Sequence, residues 1–106
     1  MAFSVEVTPH AARRLRKMPR SVQAVLAARI NSLGKDPYPH GAEKLTGFED
    51  CWKVREGAYR VVYQVRDKEL IVLIIKVGDR KDVYRNLTDS LPKIIAAWEA
   101  SWKRPS

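Results

Sequence analysis

Apolar and polar residues alternate through Phe3-Ser4-Val5-Glu6-Val7, the rhythm of a half-buried strand. The rhythm then changes at Thr8-Pro9, which suits a helix start with threonine as N-cap and proline in the first turn. A short basic helix is predicted over residues 10–18, with Ala11, Leu15 and Met18 on one side and Arg13, Arg14, Arg16 and Lys17 around the rest. After Pro19, Ser21 caps a second predicted helix running to Leu33. Val22, Leu26, Ile30 and Leu33 fall on one face of it, and Gly34 sits where a helix stop is expected. The two helices read as a hairpin laid over one side of a sheet.

Residues 35–48 carry Pro37, Pro39, Gly41 and Gly47 and read as a long loop, of a length often tied to function. Three strands follow, over residues 51–55, 59–66 and 69–77. Their connections are short, which predicts an antiparallel meander. Residues 70–75 are apolar without alternation, as in a strand buried on both faces. Gly78 ends that strand, and residues 79–86 are polar and irregular. A last helix is expected over residues 91–103, capped by Ser90, with Leu91, Ile94, Ile95, Trp98 and Trp102 on one face. The simplest home for that face is the chain's own domain; a second copy of the chain or another protein would also cover it. The fold class is α/β of the α+β kind: two N-terminal helices on a small, mainly antiparallel β-sheet, with a C-terminal helix.

Alternation also sets the register of the first hairpin. With Glu56 to Tyr59 as the loop, Arg55 lies opposite Arg60. Trp52 and Val54 then share an apolar face with Val61, Tyr63 and Val65, while Lys53, Arg55, Arg60, Val62 and Gln64 share the other. A slip of one residue would mix the two sets and bury charge. This predicts a sheet whose exposed surface concentrates Lys53, Arg55 and Arg60. Like charges facing each other across a ladder repel, so the fold gains nothing from them. A bound phosphate would compensate, gripped by the planar fork of arginine and the point charge of lysine; the plainer alternative is a solvated face with splayed side chains. The segment Gly78-Asp79-Arg80-Lys81-Asp82-Val83-Tyr84-Arg85 can fold back over the end of this sheet and add Arg80 and Tyr84. Tyr84 offers a hydroxyl and a ring for base stacking, or is an ordinary rim tyrosine.

Composition narrows the partners. The chain has 106 residues, enough for one domain. Twenty Lys and Arg against twelve Asp and Glu give a net charge of +8, which favours a polyanionic partner. A single cysteine, Cys51, excludes an intramolecular disulfide, and a Cys–His nucleophile pair has no further support. His10 and His40 are too far apart to suggest a zinc site, so neither metal nor cofactor is expected. No apolar run approaches the roughly 18 residues of a membrane span. The start, Met1-Ala2-Phe3-Ser4, lacks the marks of a signal peptide, and a cytoplasmic location is the expectation.

Three stretches carry a resemblance. Asp50-Cys51-Trp52-Lys53-Val54-Arg55, Gly57-Ala58-Tyr59-Arg60-Val61-Val62-Tyr63-Gln64-Val65 and Val77-Gly78-Asp79-Arg80-Lys81-Asp82-Val83-Tyr84 resemble the RelE toxins of the RelE/ParE superfamily. Lys44-Leu45-Thr46-Gly47 is similar to the family's K-L-x-G stretch, and the likeness spans residues 2–86. It implies a toxin domain over residues 1–86, with residues 87–106 as a C-terminal helical extension of the same domain, on a twisted, mainly antiparallel sheet. It implies the toxin of a type II toxin–antitoxin system that cleaves mRNA in the ribosomal A site and so inhibits translation. It implies as partners a cognate antitoxin and the ribosome with bound mRNA, with operator DNA reached only through the antitoxin and no membrane. The family's catalytic positions carry over to Lys53, Arg55, Arg60, Arg80 and Tyr84, with Lys44, Lys81 and Arg85 as RNA-binding residues.

The implied chemistry is metal-independent. The 2′-hydroxyl attacks the adjacent phosphorus, leaving a 2′,3′-cyclic phosphate and a 5′-hydroxyl, and clustered cations stabilise the growing charge. Arg60 suits that role, with Arg80 beside the leaving oxygen. Lys53 or Tyr84 would remove the 2′-hydroxyl proton if nearby positive charge lowered its pKa from roughly 10. Two departures stand out. Position 55 is arginine where lysine is common in the family, which makes Arg55 a phosphate binder and a poor base. The chain also runs on to Ser106, further past Tyr84 than typical relatives. Rival readings are a ParE-like gyrase inhibitor, a non-catalytic module that binds antitoxin or RNA, and a folded but inactive toxin.

Overall fold

The computed structural model describes residues 2–102. In chain order the elements are β1 (Ser4–Val7), α1 (Pro9–Arg16), α2 (Arg20–Lys35), β2 (Glu43–Lys44), β3 (Cys51–Glu56), β4 (Tyr59–Arg66), β5 (Ile71–Asp79) and α3 (Leu87–Trp102). The strands form one five-stranded sheet in the order β1-β5-β4-β3-β2. β1 runs parallel to β5, and every other pair is antiparallel. This is the mainly antiparallel α+β fold expected from the pattern of residues.

β5 is buried on both faces along nearly its whole length. Val72, Ile74 and Val77 face α1 and α2, where they join Leu26, Ile30, Leu33, Val54, Val61, Tyr63 and Val65. Ile71, Leu73 and Ile75 face the other way and join Cys51, Val62, Val83, Leu91 and Trp98 beneath α3. The alternation is broken once. Val62 pairs with Lys76 and Tyr63 with Ile74, which leaves Ile75 as the extra residue of a β-bulge. The bulge turns Ile75 and Lys76 toward the α3 side together, as the core contacts of Ile75 and the bond from Lys76 Nζ to Ser90 Oγ record. Thr8 locks the junction from the other side. Its hydroxyl donates to the Ile75 carbonyl at 3.1 Å and accepts from Ala11 N–H at 3.2 Å, capping α1 as expected.

α3 corrects the expectation of an open basic sheet face. Its buried Leu91 and Trp98 lie in the core that holds Val62, with half-buried Ile94 and Ile95 beside them. Trp102 stacks on Trp98 at 5.0 Å but stays exposed. Arg66 fastens the helix, bonding Glu99 at 2.9 Å while its guanidinium lies 5.4 Å from the Trp98 ring centre. Alternation says which residues share a face; it does not say what covers that face. At the hairpin end Arg55 remains exposed. Among the described residues, no helix is long and apolar enough to cross a membrane.

Three boundaries also differ from expectation. α3 starts a turn earlier, at Leu87: Asn86 takes a left-handed φ of 52°, and its carbonyl accepts the N–H groups of Asp89 and Ser90. Ser90 is therefore inside the helix and accepts from Lys76 instead of capping; the expected end at Lys103 lies outside the described residues. α2 starts at Arg20 with Pro19 in the cap position and no side-chain cap, so Ser21 lies inside its first turn. Gly34 does not stop α2 but lies within it. A Cβ there would stand 2.9 Å from both the Phe3 carbonyl oxygen and Val5 Cγ2, so glycine lets the helix reach β1. Gly34→Ala should therefore cost about 1–3 kcal/mol in urea denaturation, where an open helical site would gain about 1 kcal/mol.

Candidate active site

The β3–β4 hairpin has the register that charge and apolar pattern require, with Arg55 opposite Arg60. Pairing continues to Glu56 opposite Tyr59, so the loop is two residues, Gly57-Ala58, and not four. Gly57 adopts a φ of 61°, which a tight hairpin turn demands of its first residue and glycine accepts without strain. The turn also holds Arg60, whose Nη1 donates to the carbonyls of Gly57 at 3.1 Å and Tyr59 at 3.0 Å. The other guanidinium N–H groups remain for a ligand.

The segment after β5 folds back on this hairpin. Arg80 N–H donates to the Ala58 carbonyl at 3.2 Å, tying the segment to the turn. Asp79 Oδ1 accepts the N–H groups of Lys81 at 2.9 Å and Asp82 at 2.8 Å, and these bonds hold its carboxyl below the usual carboxylate range. Buried Val83 anchors the far side of the bend. Tyr84 is thereby carried to β3, where Lys53 Nζ lies 5.2 Å from its ring centre, within cation–π range.

The result is a cleft of about 300 Å³ lined by Gly41, Glu43, Lys53, Val54, Arg55, Arg60, Arg80 and Tyr84. All five residues marked as catalytic candidates meet there. Among the described residues, none of the four cations has a carboxylate within ion-pair distance. Such a cluster is a ready site for an anion with several oxygens. The three RNA-binding candidates do not line the cleft. Lys44 is exposed on β2 next to Glu43; Lys81 is exposed beside Arg80; exposed Arg85 pairs with Asp82 at 3.4 Å.

Sequence reasoning missed Gly41 and Glu43. Glu43 is the one carboxylate lining the cleft and sits opposite Lys53 in the ladder. A two-residue strand leaves no periodic signal; only its place before Lys44-Leu45-Thr46-Gly47 pointed there. In that stretch Leu45 is buried and Gly47 takes a φ of 88°, forming the turn from β2 to β3. Cys51 is buried and burial, helped by Asp50, pushes its thiol up to about 11, so it is no nucleophile. Among the described residues, no group of three or more His, Cys, Asp or Glu side chains is placed to hold a metal ion.

The family model for the ParE toxin of type II toxin–antitoxin systems matches residues 5–84. The mRNA interferase toxin RelE of Escherichia coli K12 is 34% identical over 88 residues, covering 79% of this chain and 92% of the relative. The chain belongs to the RelE family of toxins. Solved structures agree on the fold. A mutant E. coli RelE in the free state superposes with a TM-score of 0.73 at 27% identity, covering 89% of this toxin and 99% of that chain. A chain of the intact E. coli RelBE toxin–antitoxin complex gives 0.65 at 31% identity, covering 74% and 96%. This toxin is thus the toxin of a type II toxin–antitoxin system, with a RelE-like sheet and a third helix packed on it.

Two expectations follow for the cleft. Asp79→Ala should speed hydrogen exchange at the Lys81 and Asp82 amides several-fold without lowering the thermal midpoint noticeably. In the unaltered toxin the same loosening appears only as pH falls below the ordinary carboxylate range, because the folded carboxyl titrates lower than the unfolded one. Glu43→Gln should tighten binding of an uncleavable RNA analogue by a few-fold in fluorescence anisotropy, since it removes a negative charge from a cation-lined cleft.

Proposed function

We propose that this toxin is an endoribonuclease that cleaves mRNA in the ribosomal A site and so arrests translation. The observation that carries the reading is the cleft itself: four cations, without a carboxylate in ion-pair distance among the described residues, and a tyrosine around a space of about 300 Å³. The RelE relative's designation as an mRNA interferase supports the same reading.

In the proposed reaction the RNA 2′-oxygen bonds to the adjacent phosphorus and the bond from phosphorus to the 5′-oxygen breaks. The products are a 2′,3′-cyclic phosphate and a 5′-hydroxyl. Arg60, pre-set by the turn carbonyls, stabilises the charge that grows on the phosphoryl oxygens. Arg80 lies beside the leaving 5′-oxygen, and Arg55 grips a neighbouring phosphoryl oxygen. Lys53 in its unprotonated form, or Tyr84 as the phenolate, accepts the 2′-hydroxyl proton, water gives the leaving 5′-oxygen its proton, and the contact between Lys53 and the Tyr84 ring keeps both in the cleft. Lys44, Lys81 and Arg85 hold the strand on either side. These residues supply the chemistry without a metal. The ribosome supplies alignment, which is worth most where a site relies on positioning.

A cognate antitoxin is the proposed protein partner, as RelB is in the E. coli complex, and operator DNA is reached only through it. One observation favours a second reading: the matching family model is that of ParE toxins. Gyrase inhibition on this reading needs no four-cation cleft, and the cleft therefore supports the RNA reading.

Primer extension on mRNA held in translating ribosomes tests the proposal. Cuts at A-site codons are expected, and Arg80→Ala should slow them by roughly 100- to 1,000-fold while leaving the thermal midpoint unchanged, because Arg80 is exposed. Intact mRNA with the unaltered toxin would sink the cleavage reading and turn attention to gyrase.

A further inference from the structure

The same folded-back segment lines a second cleft. Arg80 and Tyr84 face the candidate active site, while Asp82, Val83 and Arg85 line a separate space of about 330 Å³ with His10, Arg14, Lys76 and Ser90. The two clefts share no residue, yet Tyr84 and Arg85 are adjacent in the chain.

Lys76 makes this second cleft unusual. It is only 7% exposed, yet its ammonium donates to two neutral acceptors, the Arg85 carbonyl and Ser90 Oγ, both at 3.2 Å. No carboxylate lies within ion-pair distance of it among the described residues. A lysine ammonium has three protons, so one remains. Burying a charge without a counter-ion is costly, and the cost is kept only where something offsets it. The surroundings add positive charge. Arg14 and Arg85 both line the cleft and share the single carboxylate of Asp82, at 3.5 and 3.4 Å. Burial and the nearby Lys76, Arg13 and Arg14 hold His10 below its ordinary value.

We propose that this cleft, centred on Lys76 with Arg14 and Arg85, is a second phosphate site that holds a backbone phosphate of the RNA strand as it leaves the candidate active site. The inference rests on the RNA reading of the first cleft and adds to it a fixed path: the strand crosses the bend of residues 80–85 and its next phosphates drop into the second cleft. It also explains why a buried lysine stands at position 76, where the fold alone would favour an apolar residue like its bulge neighbour Ile75.

The test uses two 2′-O-methylated, fluorescent oligoribonucleotides, one short enough to fill only the first cleft and one long enough to reach past it. The 2′-O-methyl group blocks the nucleophile, so binding is read without cleavage. With the unaltered toxin the longer oligonucleotide binds tighter and with a steeper salt dependence. Lys76→Met should remove most of that gain and reduce the slope of log K against log salt by about 0.7, the value of one lost single-strand phosphate contact. Its thermal midpoint should hold or rise, because a buried charge with neutral partners is replaced by an apolar chain of similar length. Equal slopes for Lys76→Met and the unaltered toxin would overturn the proposal. If Lys76→Met does not fold, a nitrogen-15 titration of the unaltered toxin with inorganic phosphate reads the site directly. Shifts at the amides of Lys76, Arg85 and Ser90 that the longer oligonucleotide also produces support it, and the absence of either overturns it. Weakened antitoxin binding with RNA binding intact would mark a carboxylate site and overturn it as well. A Lys76-dependent slope together with intact ribosomal mRNA would sink the cleavage reading and leave the phosphate site standing.

Discussion

Burial of β5 on both faces is the constraint on which the rest of the toxin depends. An apolar strand with two apolar faces needs two covers, and the chain supplies them from opposite ends: α1 and α2 from one side, α3 from the other. The parallel partner β1 and the antiparallel partner β4 then satisfy its backbone groups. The bulge at Ile75 is where the two demands meet. It lets Thr8 seal the start of α1 against β5 and sends Lys76 to the α3 side, where an otherwise regular strand would aim it at the main core.

The first basic cleft lies at the end of this core, where packing no longer dictates residue choice. Arg55 faces Arg60 across the ladder, a pairing that costs stability. The fold meets that cost with backbone, not with carboxylates. Turn carbonyls hold Arg60, the Ala58 carbonyl holds the Arg80 backbone, and Asp79 is occupied with N–H groups of the bend. Cations restrained by neutral groups keep their charge available to a ligand, and they need little rearrangement when one arrives. α3 lies on the same side of the sheet but stops short of this region, covering Val62 and Leu73 while leaving Arg55 exposed.

Much of this was legible in the residues. The hairpin register followed from two-residue periodicity, because only one register keeps Val54, Val61, Tyr63 and Val65 on a common face without burying Lys53 or Arg55. The five candidate residues of the cleft were named from that register and from the likeness to RelE toxins, and all five line it. Helix ends were less legible. Glycine often ends helices, but at Gly34 its small size serves contact with β1. Serine is a common cap, but Asn86 starts the last helix and Ser90 serves Lys76. In each case a distant partner decided the role of a residue whose local preference pointed elsewhere.

Periodicity, charge and turn chemistry are local properties, and by themselves they determined the class of fold, the pairing of the β3–β4 hairpin and the chemical character of its basic end. What covers a face is a matter of long-range contact. Only the tertiary structure decided that α3 closes the second side of the sheet, that Glu43 enters the first cleft, and that Lys76 is buried beside Arg14 and Arg85, because each joins segments whose separation along the chain carries no periodic signal.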